Sequence, residues 1–288
     1  MEPSPAVGAA ALAVATVVIA LLWYRATATR RVYRTEVLSF LARQEGRARA
    51  LTEEDIRDVP EPVRRYIRYA GLIGNETVHN MRAVWRGRMR RDPRQGWFGI
   101  RADQYNFYGD LARIFYIRGR LFGVPVVGSD LYSTGEGRMI MKAAGLIPVV
   151  DATGTEMASS GLVTLFNDMC LLAPATLIDK RIRWVPVDSL TARGSIEDAG
   201  RTVSATLHFN QDGELTDFVT DDRYMESSGK YRKFSWSTPV SQYKDFHGIR
   251  LASHGAGVWH LDEGEFKYAE FELQSIEYNT SSYLLGVG

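Results

Sequence analysis

The chain has 288 residues, of which 45% are hydrophobic and 24% charged, and its formal net charge is +1. These fractions are ordinary for a folded globular protein and exclude disorder over most of the length. The small net charge gives no reason to expect nucleic acid as a partner. A single cysteine, Cys170, excludes an intramolecular disulfide bond.

An apolar run without any charge occupies residues 6–24, AVGAAALAVATVVIALLWY. At about 1.5 Å per residue, a helix over this run nearly spans a bilayer core of about 30 Å, and Trp23 and Tyr24 stand where interfacial aromatic residues are common. We therefore predict a single-pass transmembrane anchor over residues 1–28. The alternative is a cleaved signal peptide, because the ATA at 26–28 resembles a cleavage site.

The charges around this run predict the orientation of the chain. Four arginines follow the run directly: Arg25, Arg30, Arg31 and Arg34. Nothing basic except the amino terminus precedes it, so the positive-inside rule places the bulk of the protein in the cytoplasm. The same arginines can bind anionic lipid headgroups, each contributing about 1 kcal/mol near the surface.

The next segment, residues 29–75, is predicted to be a helical juxtamembrane region. Tyr33, Val37 and Leu41 recur at a spacing of four residues and indicate a first helix. A second helix is predicted to begin near Pro62, since proline is favoured in the first turn of a helix.

From residue 76 onward the hydrophobic period changes from helical to two, which is typical of β-strands. In RTVSATLHF, residues 201–209, polar and apolar residues alternate from Thr202 to Phe209, and the following NQDG predicts a hairpin turn. The apolar residues of the run 264–278 change parity twice, first between Tyr268 and Phe271 and again before Ile276. A straight strand cannot keep these side chains on one face, so we predict two β-bulges or strong bends, and a curved sheet.

These patterns together predict an α+β fold. Residues 76–288 are expected to form a strongly curved, mostly antiparallel sheet, a half-open barrel, with a helical insert at about 155–180. The curvature implies a trough on one face that is able to hold an apolar guest molecule.

The segment GLVTLFNDMCLLAP, residues 161–174, is predicted to be an apolar helix that carries one polar stripe. The stripe has the spacing i, i+3, i+4 and i+7 and consists of Thr164, Asn167, Asp168 and Leu171. The simpler interpretation is that it faces solvent. The alternative places Asp168 at the mouth of a cavity, where it acts as a general acid, and this requires a cationic partner such as Arg223 or Arg183.

Four phrases in the sequence carry a resemblance to a known family: VPEPVRRYIRYAG at 59–71, GLIPVVDATG at 145–154, LFNDMCLLAPATLID at 165–179 and GEFKYAEFELQSIEYN at 264–279. Together they resemble a bacterial domain family of unknown function whose members often carry one N-terminal membrane segment. The order of strands, helices and strands also resembles the lipoprotein-carrier (LolA-like) fold, a half-open barrel closed by helices. That second resemblance implies a lipid-like or acyl ligand and an extracytoplasmic location, opposite to the location that the charges indicate.

Chemical signatures are scarce in this sequence. Glycine-rich nucleotide loops, a nucleophile elbow, the HExxH motif and paired CxxC motifs are all missing from it, so we predict no cofactor and no metal site. Arginines alternate along one predicted strand at Arg82, Arg86 and Arg88, with Arg90 just beyond, and this ladder indicates either contacts with lipid phosphates or a solvated outer face.

The leading functional hypothesis is membrane-anchored binding or handling of a lipid-like or other hydrophobic small molecule. Its candidate ligand-binding residues are Trp184, Arg223, Trp236, Trp259 and Tyr268. The first alternative is an enzyme acting on a hydrophobic substrate, with Asp168, Asp222 or His260 as acid or base. The second alternative is a structural partner of another membrane protein.

Overall fold

The computed structural model describes residues 5–44, 48–227 and 230–284, without the side chains of 5–11 and 227. The first residues of the predicted anchor, 1–4, and the end of the predicted sheet domain, 285–288, lie outside this part of the chain. Four α-helices are present within it: α1 Pro5–Ala26, α2 Ala28–Arg43, α3 Glu61–Tyr69 and α4 Thr155–Leu172. Two short 3₁₀ helices cover Glu54–Ile56 and Pro174–Ile178.

The strands are β1 Asn80–Met89, β2 Phe98–Phe107, β3 Ala112–Leu121, β4 Val124–Ser133, β5 Glu136–Ala143, β6 Ile147–Thr153, β7 Ile182–Asp188, β8 Thr191–Asp198, β9 Arg201–Phe209, β10 Leu215–Thr220, β11 Tyr224–Ser227, β12 Lys230–Lys233, β13 Ser235–Ser237, β14 Val240–Phe246, β15 Ile249–Leu261 and β16 Gly264–Tyr278. Among these residues, 14 strands form one sheet in the order β6-β5-β4-β3-β2-β1-β16-β15-β13-β10-β9-β8-β7, with β14 on β15. Neighbouring strands are antiparallel, and β11 and β12 form a separate hairpin. The prediction of an α+β fold with a large antiparallel sheet is confirmed.

The sheet curves around α4, because this one helix contacts strands from both halves of the sheet. It packs on β4 and β5 in the first half and on β9 and β10 in the second. A further measure of curvature is the pair Phe115 and Phe271, whose ring centroids are 6.3 Å apart. Their strands, β3 and β16, are three positions apart in the sheet, which corresponds to about 14 Å in a flat sheet. The concave side is therefore narrow, and α4 occupies one end of it.

Bulges contribute to this curvature, and two of them lie on β16. Tyr268 is the extra residue where the pairing with β15 shifts register between Gly257 and Val258. Gln274 is the extra residue where the pairing with β1 shifts between Val84 and Trp85. The two bulges predicted from the parity changes are confirmed.

The polar stripe of α4 is buried, so the interpretation that it faces solvent is wrong. Asn167 and Asp168 are 4% and 7% exposed. The physical reason is the curved sheet, which surrounds the helix and leaves no broad face for water. The close approach needs a small residue: a Cβ added at Gly161 would lie 2.8 Å from the ring of Tyr132 on β4.

Helix α2 packs on the opposite, convex side of the sheet. Tyr33, Val37 and Phe40 are its buried residues in contact with β2 and β3. The spacing read from the sequence is therefore the packing face of the helix. Tyr33 stacks on Tyr116 at 5.2 Å, and Phe40 on Phe107 at 5.1 Å.

Helix α1 precedes α2 and exposes its apolar side chains. Leu12, Ile19 and Trp23 are 70%, 66% and 69% exposed. Within the described part of the chain, no single helix has both the length and the apolar character to cross a membrane. The pair Leu12–Ala26 and Ala28–Arg43, bent by 48°, meets both requirements when taken together.

Candidate functional site

A buried polar cluster connects α4 to the concave side of the sheet. Oδ2 of Asp168 accepts hydrogen bonds from Gln104 Nε2 at 2.6 Å, Asn106 Nδ2 at 3.0 Å and Arg113 Nε at 2.8 Å. Arg113 also donates to Asp130 at 2.7 Å. The cluster therefore ties β2, β3 and β4 to the helix.

Burial raises the pKa of Asp168, and the charge of Arg113 opposes this rise. The cationic partner expected from the sequence, Arg223 or Arg183, is wrong; the partner is Arg113. It lies on β3, 55 residues from Asp168. With three donors on one oxygen, the carboxylate is positioned as a structural bridge between layers.

Four of the five predicted ligand-binding residues lie together on the concave side. The guanidinium carbon of Arg223 is 4.1 Å from the ring centroid of Trp236 and 5.7 Å from that of Trp259. Trp259 in turn lies 6.1 Å from Tyr268. The two tryptophans are buried, and Arg223 donates to Thr164 on α4. These residues pack in the core that surrounds the helix.

The fifth predicted residue, Trp184, lies apart from them on β7. Its ring is 6.3 Å from that of Phe166, and its indole N–H donates to the carbonyl of Leu177 at 3.0 Å. Its hydrogen bond therefore holds β7 to the 3₁₀ helix that follows α4.

The three predicted catalytic residues have separate sets of partners. Asp222 accepts from Ser204 N at 2.9 Å and from Lys233 Nζ at 3.1 Å. His260 Nε2 is 2.9 Å from Ser237 Oγ. In the described part of the chain, neither residue is hydrogen-bonded to the other or to Asp168, so the three side chains form no joint acid–base group.

A hollow of about 210 Å³ lies on the convex side, between α2 and the sheet. Its lining comes from α2, from four strands and from the segment after β16: Arg30, Tyr33, Val84, Trp85, Arg86, Arg101, Ala102, Asp103, Tyr116, Arg118, Gln274 and Tyr283. Gln274, the residue of the second bulge, is part of this lining. The bulge thus helps to shape the hollow.

The lining of the hollow is strongly basic. It contains four arginines, Arg30, Arg86, Arg101 and Arg118, and Asp103 is the single acid among the described lining residues. Arg82 binds this acid with two contacts, Nε to Oδ1 at 3.1 Å and Nη2 to Oδ2 at 3.2 Å. Arg82 therefore balances the charge of the acidic side chain in the lining.

Two tyrosines, Tyr33 and Tyr116, are part of the lining of the hollow. Burial raises the pKa of Tyr33 and of Tyr116, so both stay protonated at neutral pH. The hydroxyl of Tyr33 is buried and has no hydrogen-bond partner within the described residues. A buried, unsatisfied donor costs about 1–3 kcal/mol. Among the described residues, six other buried side-chain atoms share this state, the hydroxyl of Tyr108 included.

The sequence pointed to this site only in part. Of the arginine ladder, Arg86 lines the hollow. Arg82 and Arg88 form ion pairs with Asp103 and Glu270. Tyr33 was recognised for its helical spacing but not for its hydroxyl. The other walls come from segments far apart in the chain, and only the topology brings them together.

Solved structures similar to this chain have low identity and low structural agreement. A domain described as a putative outer membrane lipoprotein-sorting protein from Vibrio parahaemolyticus is 11% identical, with a TM-score of 0.41, over 71% of this chain and 87% of that chain. A DUF1329 family protein from Desulfovibrio piger is 10% identical, with a TM-score of 0.42, over 77% and 93%. A LolA superfamily protein from Nitrosomonas europaea is 11% identical, with a TM-score of 0.39, over 75% and 92%. Similarity at this level carries no functional information.

A search of curated proteins finds no match to this chain. A family model does match, over residues 49–271, and it is described as a family of unknown function, DUF6544. The resemblance expected from the four phrases is therefore confirmed, and because the match spans most of its length, the chain belongs to the DUF6544 family of unknown function.

Proposed function

We propose that this protein is held at a membrane by α1 and binds a lipid-like amphiphile through its anionic headgroup, in the hollow beside α2. The observation that carries the proposal is a cavity lined by four arginines and by Tyr33, whose buried hydroxyl has no partner among the described residues. Arginine guanidinium groups and hydroxyl donors are the groups that proteins use to bind phosphate.

The size of the hollow favours a headgroup over a whole lipid. Its volume of about 210 Å³ is below the range of about 300–1,000 Å³ that is typical of ligand pockets. A phosphate and its linked polar atoms fit such a space, while acyl chains remain outside.

The position of the hollow supports a ligand that comes from a bilayer. Arg30 lines it and stands only four residues after the end of α1 at Ala26. Helix α1 exposes Leu12, Ile19 and Trp23, and such a surface is stable in lipid rather than in water. The proposed anchor therefore brings the hollow close to the headgroup layer.

The proposal is tested by titrating the detergent-solubilised full chain with dioctanoyl phosphatidic acid, followed by native mass spectrometry. Dioctanoyl phosphatidylcholine and inorganic phosphate are the comparison ligands, and they separate a lipid headgroup from a free anion. We expect saturable binding of phosphatidic acid. Arg86→Gln is expected to weaken it about tenfold to a hundredfold, because a charged hydrogen bond contributes about 1.5–3 kcal/mol.

The sharpest variant is Tyr33→Phe, which removes only the unpartnered hydroxyl. It should weaken binding while leaving the stability of the free protein equal or higher, since a buried unsatisfied donor disappears. Tyr108→Phe is the matched control, because Tyr108 is also a buried tyrosine but lies outside the hollow. Wild-type affinity in Tyr33→Phe would refute the proposed site.

A further inference from the structure

Two hairpin turns lie side by side at the end of the sheet that is near α1. The β3–β4 turn is Phe122–Gly123, and the β5–β6 turn is Ala144–Leu146. The backbone N–H of Ala144 donates to the carbonyl of Pro125, the second residue of β4, at 2.7 Å, and this places the β5–β6 turn beside the β3–β4 turn. Gly145 touches the end of α1, since a Cβ added there would collide with the carbonyl oxygen of Ala26.

Apolar side chains project from these turns into solvent. We call this set the tip patch: Phe122, Val124, Leu146, Ile147 and Val149. Phe122 is 92% exposed and Ile147 is 65% exposed. Single exposed apolar residues are common, but a contiguous group of them marks a surface that contacts something else.

The turn chemistry makes Phe122 the most informative member. Phe122 and Gly123 both have positive φ, at 50° and 81°, which is the backbone of a hairpin turn that favours Asn-Gly. A bulky residue is strained at positive φ, and here it gains no burial in return. Neither turn geometry nor core packing explains a phenylalanine at this position.

We propose that the tip patch inserts into the headgroup layer of the same bilayer that holds α1, so that the β3–β4 and β5–β6 turns dock the domain on the membrane. This inference rests on the proposed membrane attachment. Three features favour a bilayer as the occupant. Gly145, in the turn next to Leu146, touches the end of the apolar helix. Arg25 stands in the last turn of that helix, and the exposed Arg120 on β3 precedes Phe122. Aromatic residues flanked by basic ones suit an anionic headgroup layer.

Docking also gives the hollow a fixed height above the bilayer. Arg118 lies four residues before Phe122, which is about 13 Å along a strand. A headgroup in the hollow and acyl chains in the bilayer are then within one lipid length of each other. The tip patch and the hollow thus face the same membrane.

The experiment uses the full chain in vesicles of phosphatidylcholine and phosphatidylglycerol, with a nitroxide-labelled lipid as quencher. A fluorescent label is attached to cysteine in Phe122→Cys, in Ile147→Cys and in the control Val187→Cys. Val187 is 58% exposed and lies on β7, at the end of the sheet order far from β3 to β6. Cys170 is 0% exposed, and burial raises the pKa of its thiol, so the native cysteine does not react.

We expect the labels at positions 122 and 147 to lose emission to the lipid nitroxide, and the label at 187 to keep it. Equal quenching of the labels at all three positions would overturn the inference. So would labels at 122 and 147 that are shielded from water but not quenched by the lipid nitroxide, and this second result indicates a protein partner. Flotation of the vesicles tests the membrane attachment itself. A chain that does not float with the vesicles overturns both the proposed attachment and the proposed docking. Bound protein with unquenched tips overturns docking alone and leaves the hollow untouched.

A second variant separates a role in the fold from a role in docking. Phe122→Asn places the preferred residue at this turn, so the unfolding temperature of the full chain in detergent is expected to stay equal or rise. A lower unfolding temperature would show that Phe122 serves the fold, and the proposal would fail on that ground.

Discussion

Replacement of Asp168 by asparagine tests whether this side chain holds the fold together. Asp168 is 7% exposed, and its Oδ2 accepts three hydrogen bonds. A hydrogen bond to a charged group contributes about 1.5–3 kcal/mol and a neutral one about 0.5–1.5, so Asp168→Asn loses about 1 kcal/mol at each of three contacts. The total is at most about 3 kcal/mol, because burial raises the pKa of Asp168 and the asparagine removes the cost of burying its charge. This value is at the lower end of the range for breaking a buried ion pair. The lower end is reasonable because Arg113 keeps Asp130 as a partner.

The assay is denaturant unfolding of the full chain in detergent, followed by tryptophan fluorescence. Asp151→Asn is the matched control, since Asp151 also pairs with an arginine, Arg138, at 3.2 Å, but both side chains are about half exposed. An exposed pair contributes about 0–1 kcal/mol, so the control should unfold close to wild type. If Asp168→Asn is as stable as Asp151→Asn, the bridging role is refuted. That result would restore Asp168 as a candidate for the acid of an enzyme.

Two further predictions concern pH and orientation. Burial raises the pKa of Asp217 to about 6 from its ordinary value of 3.8, so its contribution to stability is present below about pH 4 and is lost as the pH rises through 6. As the pH rises from 4 to 8, the free energy of unfolding of Asp217→Asn should therefore increase relative to that of wild type by up to about 3 kcal/mol. A difference between the two proteins that stays the same over this pH range would contradict the prediction. The arginines after α1 predict that a fluorescent-protein fusion at the C-terminus is bright and an alkaline phosphatase fusion is inactive. The opposite pair of results would place the domain outside the cytoplasm.

Local patterns in the sequence predicted the sheet well, because side-chain alternation depends on neighbouring residues. Val203, Ala205, Leu207 and Phe209 are all buried, as the alternation in 201–209 required. The bulges at Tyr268 and Gln274 followed from parity alone. Each of these features is encoded within one strand.

Features that join distant segments were not predictable in the same way. The position of Asp168 on α4 gave no information on which side of the helix the sheet would cover. Its partner Arg113 was one of many arginines, and only the strand order places it opposite. The hollow combines α2, β1, β2, β3 and β16, so no local pattern could have indicated its shape or the unpartnered hydroxyl of Tyr33.

The pairing of β1 with β16 has a consequence for biosynthesis. Met81 pairs with Tyr278, so one edge of the first strand remains open until the last strand has left the ribosome. Pairings between such distant segments are slow to form, because a long loop must close before they gain any contacts. The nascent chain is therefore expected to remain an incomplete half-sheet, with the open edge of β1 prone to aggregation, until β16 is synthesised. A helix that is already attached to a membrane would keep this edge away from other copies of the chain.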